Sequence, residues 1–175
     1  TKRIFMGVYP KVTKPNGESV PAMAKDILQA FNTGSLIVNY TGHGSERVWA
    51  DEVIFSTQII SELDNKLFPF LVTATCEFGR HDDPFQTSGA ETSVILKDAG
   101  AIGVLTSTRA VNASTNFNLN IAFYEALFQR ESGKFKSIGE IFQQTKNASM
   151  SGVSNRNFAL LCDPSLTLVL PPEKI

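Results

Sequence analysis

A chain of 175 residues with 42% hydrophobic content is long enough to close one full core and too short for two comfortable ones. Sixteen basic against seventeen acidic residues leave a net charge of -1, and no Lys/Arg run exceeds two residues, so nothing steers the chain towards nucleic acid or an anionic membrane. No stretch approaches the roughly 18 consecutive apolar residues of a transmembrane helix, and Thr1-Lys2-Arg3 leads straight into a strand-like run with no export signal in view.

In chain order, strand-like runs are expected at Arg3 to Tyr9, Leu36 to Tyr40, Phe68 to Thr75, Ala101 to Ser107, Phe158 to Leu161 and Leu166 to Leu170. Helical stretches are expected at Ala22 to Asn32, Thr57 to Asn65 and Ser88 to Ala99. The first begins near Pro21 and stops at the Asn32-Thr33-Gly34 turn signal, and the second is capped by Ser56 or Thr57. Asn116 to Gln129 carries Phe117, Ile121, Phe123, Tyr124, Leu127 and Phe128 on one apolar face, and Ile138 to Met150 forms another amphipathic helix. Strand and helix alternate as in a mainly parallel sheet covered on both faces, an α/β architecture. A single unit over residues 1–175 is expected, as a catalytic domain or the C-terminal part of one. The start at threonine suggests a fragment of a longer chain, and Pro171-Pro172 suggests the beginning of a linker.

Cys76 and Cys162 could pair, but both lie near ends of core strands and not in a disulfide-scaffold pattern. The sequons at Asn39, Asn112 and Asn147 are read as chance, Asn39 because its apolar run must be buried.

The run Leu36 to Ser45, L-I-V-N-Y-T-G-H-G-S, ends at His43 and its flanking glycines, and the strand from Pro69 ends 33 positions after that histidine, in Cys76. One crossover therefore puts an imidazole and a thiol at the same end of neighbouring parallel strands, about 4.8 Å apart. A free thiol has a pKa of about 8.5 and needs such a partner to act as a thiolate nucleophile; the imidazole can then protonate a leaving amine. Gly42 and Gly44 permit a tight turn with positive φ, and the amides of Gly44 and Cys76 could converge as an oxyanion hole. Against this, a cysteine is among the commonest core residues, and a histidine after a strand is often only a loop residue. A metal site built from His43, Cys76, His81, Asp82, Asp83 and Cys162 competes, but the spacing matches no zinc pattern. The polar loop Glu77 to Thr87 follows the thiol, where such sheets place their ligands.

The stretch N-Y-T-G-H-G-S with a tryptophan shortly after it, the strand ending in cysteine and the closing D-P-S-L resemble the gingipain family of cysteine peptidases over nearly the whole chain. The resemblance implies a caspase-like three-layer sandwich, His43 and Cys76 as the catalytic pair, and the Gly44 and Cys76 amides as oxyanion donors. V-Y-P-K-V-T and T-A-T-C-E-F-G-R-H-D-D-P are closer to the surface sortases of the Bacteroidetes type IX secretion system than to the digestive-type gingipains. That implies a secreted or outer-membrane cell-surface location. The implied partners are the C-terminal signal domains of secreted proteins and other secretion-system components. The family's orienting acid lies upstream of the matched segment; Asp51 and Glu52 are the nearest carboxylates here. Trp49, Glu77 and His81 are candidates for lining a substrate pocket. C-E-F-G stands where the arginine- and lysine-specific enzymes have C-V-N-G, which weakens the case for basic-residue specificity. L-L-C-D-P-S-L is read as a structural turn. No cofactor is expected, with structural calcium left open. The rival readings are a secreted endopeptidase, whose basic-residue pocket would be lined by Asp82, Asp83 and Glu91, and a catalytically silent caspase-like scaffold or binding domain.

Overall fold

Two apolar layers pack against opposite faces of one four-stranded sheet, and the alternation of side chains along its strands decides which residue enters which layer. The structure is a computed structural model and describes residues 1–15, 17–131, 133–149 and 151–170. In chain order it forms β1 (Val12–Lys14), β2 (Gly17–Ser19), α1 (Pro21–Asn32), β3 (Ile37–Thr41), β4 (Val48–Trp49), β5 (Phe55–Ser56), α2 (Thr57–Ser61) and β6 (Phe70–Ala74). There follow α3 (Gly89–Ile95), β7 (Gly103–Ser107), α4 (Ala113–Phe128), β8 (Arg130–Glu131), β9 (Lys134–Phe135), α5 (Ile138–Ser149), α6 (Val153–Arg156) and β10 (Phe158–Leu161). The sheet order is β10-β7-β6-β3, with β3, β6 and β7 parallel and β10 antiparallel.

Along β6, Leu71 faces the layer holding Met23, Ile27 and Phe31 of α1, while Phe70, Val72 and Ala74 face Leu119, Phe123 and Leu127 of α4 and Ile141 of α5. Every β6 residue is buried, so this strand is central and fixes the position of whatever follows it. Fully burying a large apolar side chain contributes about 1.5–3 kcal/mol, and the buried Phe31, Trp49, Phe55 and Phe78 gather on the α1 side.

Local signals act largely as expected. Pro21 opens α1, which closes before Gly34 at φ +86°. The Ser56 hydroxyl accepts from Ile59 N, and Ser88 and Glu91 form a reciprocal capping box at the start of α3. The Asn112 side chain accepts from Thr115 N at 2.8 Å, so α4 starts earlier than its apolar residues suggest.

Five expectations are corrected. Arg3 to Tyr9 is no strand: Met6–Val8 is a short 3-10 turn, and Ile4, Met6 and Tyr9 pack on the core without a sheet partner. Leu166 to Leu170 forms no strand among the described residues; Leu168 and Leu170 are buried on either side of exposed Val169, and the Leu166 carbonyl accepts from Ile138 N. Phe117, Ile121 and Phe128 of α4 are exposed, because its buried stripe runs through Leu119, Ala122, Phe123, Ala126 and Leu127. Asn39 is exposed, because β3 is an edge strand; its amide donates to Asn120 and Tyr124. The helices after Thr57 and Ser88 end early, at Ser61 and Ile95. Met150 and Pro171-Pro172 lie outside the described residues.

Candidate active site

The parallel register pairs Ile37 with Phe70 and runs to Thr41 opposite Ala74, so Gly42 and His43 leave β3 level with Thr75 and Cys76 leaving β6. The Gly42 amide donates to the Ala74 carbonyl at 3.4 Å, extending the ladder one step beyond the strand. His43 and Cys76 thus stand at the same carboxyl end of adjacent strands. His43 is exposed and Cys76 half-buried. The Cys76 thiol donates to the Val111 carbonyl at 3.4 Å, and among the described residues no hydrogen bond joins it to His43.

The backbone of His43 is held from two sides: its carbonyl accepts from Ala50 N at 2.8 Å and from the Tyr40 hydroxyl at 2.7 Å. Burial, with Glu52 a smaller cause, pushes the Tyr40 phenol up to about 12, so it remains a donor across the neutral range. Neither Gly42 nor Gly44 has positive φ, contrary to expectation; both are needed for close approach instead. A Cβ on Gly44 would press on the Thr75 hydroxyl and lie 2.9 Å from the Val48 carbonyl, and one on Gly42 would lie 2.5 Å from the Tyr40 hydroxyl. Among the described non-glycine residues the left-handed conformations fall on Ala50, Val53, Glu77 and Asp98, of which Glu77 lies directly after the thiol. Among the described residues the amides of Gly44 and Cys76 donate to no backbone or side-chain acceptor.

The remaining candidates are distributed differently. Trp49 is 1% exposed and stacks on Tyr40 at 4.5 Å, so it is a core residue; it reaches a groove of about 840 Å3 along the outer edge of β3, shared with Val38 and Phe128. His43 instead opens on a cavity of about 580 Å3 with Met6, Tyr40, Gly42, Asp51 and Glu52. Glu52 accepts from Lys11 Nζ at 2.9 Å; this bond chiefly holds its carboxyl below the usual range, with the charge of His43 a smaller cause. Glu77 is half-buried near Arg80, and exposed His81 has Nδ1 3.0 Å from the Gly79 carbonyl. Cys162 follows β10 at the opposite end of the sheet, beside Gly103, so the two thiols are not placed to pair. Asp163 accepts from the amide and hydroxyl of Ser165, which makes D-P-S a turn. Among the described residues no group of three His, Cys, Asp or Glu side chains is placed to hold a metal ion, and no helix is long and apolar enough to cross a membrane.

Two ion pairs escaped the sequence reading. Arg80 Nη1 lies 3.1 Å from Glu46 Oε1, joining the loop after the thiol to the loop after the histidine. Arg109 grips both carboxylate oxygens of Asp82, joining the same loop to the segment after β7. The opposite charges were visible in sequence, but nothing local says which carboxylate meets which guanidinium.

A family model described as peptidase family C25 matches residues 1–169. Gingipain R2 of Porphyromonas gingivalis is 35% identical over 107 residues, 61% of this chain and 14% of the relative; Lys-gingipain W83 of the same species is 35% identical over 78 residues, 45% and 4%. The crystal structure of the Arg specific cysteine proteinase gingipain R superposes with a TM-score of 0.73 at 25% identity, over 83% of this chain and 36% of that one. A complex of RgpB pro- and mature domains from Porphyromonas gingivalis gives the same TM-score at 24% identity, with 83% and 37% covered. The fold is therefore the caspase-like α/β sandwich expected from the sequence, and the chain spans only a small part of the relatives it matches. The chain belongs to peptidase family C25.

Proposed function

We propose that this chain carries the nucleophile and the proton-transfer group of a cysteine peptidase, Cys76 and His43. The observation that carries this reading is the β3–β6 register, which brings both residues out at the same end of adjacent strands. Cys76 Sγ attacks a peptide carbonyl as His43 takes the thiol proton; the carbonyl carbon becomes tetrahedral, its oxyanion facing the Gly44 and Cys76 amides. Collapse breaks the C–N bond, His43 returns the proton to the departing amine, and a thioester remains. Water or an amine then attacks the thioester and restores the thiol.

The acceptor divides two readings. Hydrolysis alone describes a secreted endopeptidase, favoured by the gingipain relatives. Transfer to an amine describes a sortase of the type IX secretion system resembling PorU, acting at the cell surface on C-terminal signal domains. The sortase reading is supported by C-E-F-G-R-H-D-D-P and by the fate of the carboxylates that would select a basic side chain. Asp82 is gripped by Arg109, Asp83 accepts from Phe85 N and Gln86 Nε2, and Glu91 caps α3. A catalytically silent scaffold would need neither His43 nor Cys76 at these positions. The test is mass spectrometry of products from the intact protein and a signal-domain substrate, with and without a competing amine such as hydroxylamine. Amine-capped product that disappears with Cys76→Ala supports transfer; only free carboxylate product identifies a hydrolase; and unchanged turnover in Cys76→Ala removes the nucleophile assignment.

A further inference from the structure

The loop after the thiol is braced on two sides by opposite charges of its own. Arg80 reaches across to Glu46, three residues after His43, at 3.1 Å, and also lies 3.8 Å from Glu77 Oε1. Its Nε is buried and has no hydrogen-bond partner among the described residues, so the inner part of the guanidinium is seated against the protein. The backbone of Glu46 is itself held, because its carbonyl accepts from Gly89 N at 2.7 Å. On the other side Asp82 is gripped by both terminal nitrogens of Arg109, whose Nη1 also donates to the Thr108 carbonyl at 2.6 Å. Arg109 lies two residues before Val111, the carbonyl that receives the Cys76 thiol. One brace therefore ends beside the histidine and the other beside the present partner of the thiol.

We propose that Glu46–Arg80 and Asp82–Arg109 form a two-sided ionic brace that sets where the nucleophile loop sits between the His43 turn and the Val111 segment, with Glu46 and Arg80 as positioning residues for the Cys76–His43 encounter. The proposal rests on the catalytic reading of that pair. The Asp82–Arg109 pair is exposed, and such pairs contribute only about 0–1 kcal/mol to stability; for the part-buried Glu46–Arg80 pair, thermal midpoints separate a positional role from a folding role. A bidentate guanidinium–carboxylate grip fixes orientation as well as distance.

The test uses the pH dependence of iodoacetamide alkylation at Cys76 in the intact protein, together with kcat and KM, for Glu46→Gln, Arg80→Met and the swap Glu46→Arg/Arg80→Glu, each also in a His43→Ala background. A brace predicts that Glu46→Gln and Arg80→Met shift alkylation in the same direction, to higher pH. It also predicts that kcat falls about 10- to 100-fold, as a displacement near 1 Å would cause, with KM nearly constant. The swap restores part of the loss, and His43→Ala erases the difference. A purely electrostatic influence on the thiolate predicts opposite shifts, since Glu46→Gln removes a negative charge and Arg80→Met a positive one; that result overturns the brace. Equal thermal midpoints exclude misfolding as the cause of a same-direction shift. If His43→Ala alone leaves the alkylation profile unchanged, the catalytic pair itself fails; if it shifts the profile while Glu46→Gln does not, only the brace fails.

Discussion

The thiol of Cys76 donates to the carbonyl oxygen of Val111 at 3.4 Å, and among the described residues no hydrogen bond joins it to the imidazole of His43. Sγ therefore faces the 108–112 segment, and the proposed encounter with His43 requires it to turn towards the end of β3. Shortening that segment by deleting Ala110 is expected to weaken this resting contact and change the rate of Cys76 alkylation near neutral pH, read by mass spectrometry, while leaving Cys162 unaffected.

Cys162 provides a contrasting thiol. Burial, reinforced by the charge of Asp163, pushes it up to about 11. Its folded form therefore holds the proton more tightly than the unfolded chain does. The associated stability is present below about pH 9 and is lost as pH rises through about 11. Asp163→Asn should accelerate alkylation of Cys162 at pH 9 to 10; an unchanged rate would leave burial as the sole cause.

Tyr40→Phe removes one of the two donors to the His43 carbonyl and retains the ring stacked on Trp49. A loss of about 1 kcal/mol is expected, the usual net value of one hydrogen bond, measured by urea denaturation. Turnover should fall further than that figure implies, because the carbonyl is then held by Ala50 alone.

Gly44→Ala should be among the most damaging single substitutions at the site. Its Cβ would be confined between the Thr75 hydroxyl and the Val48 backbone, and the backbone cannot rotate aside. Overpacking of this kind costs about 1–3 kcal/mol. The paired variant Gly44→Ala/Thr75→Ala relieves the side-chain half of the clash and should recover part of the thermal midpoint but not all of it.

Ser88→Ala removes half of the capping box of α3, whose Glu91 carboxylate accepts from Ser88 N at 2.8 Å. A loss of about 0.5–2 kcal/mol is expected in chemical denaturation.

The elements that set the site were those most legible in the sequence. β3 and β6 announced themselves as apolar runs, and the His43 to Cys76 interval is what one crossover requires. Arg3 to Tyr9 misled because an apolar run shows that residues seek the core, not that a strand is available to pair with them. Leu166 to Leu170 misled for the same reason, its alternation reflecting packing onto α5. The apolar residues of α4 exceed what one buried face can take, and nothing in their order showed that Leu119 and Ala122 would be inside while Phe117 and Ile121 stayed out. The ion pairs around Arg80 and Arg109 were illegible because they join residues 34 and 27 positions apart, and charge alone does not choose among partners.

The outer edge of β3 gives the sheet an open side. Among the described residues β3 pairs only with β6, and the groove beside it leads to exposed Phe128. Unpaired backbone donors and acceptors next to an apolar trough form a template on which an added strand gains both a ladder and a hydrophobic seat. These residues in isolation should therefore be prone to associate through that edge, and lysines placed at Leu36 and Asn39 should suppress it by making the edge costly to cover.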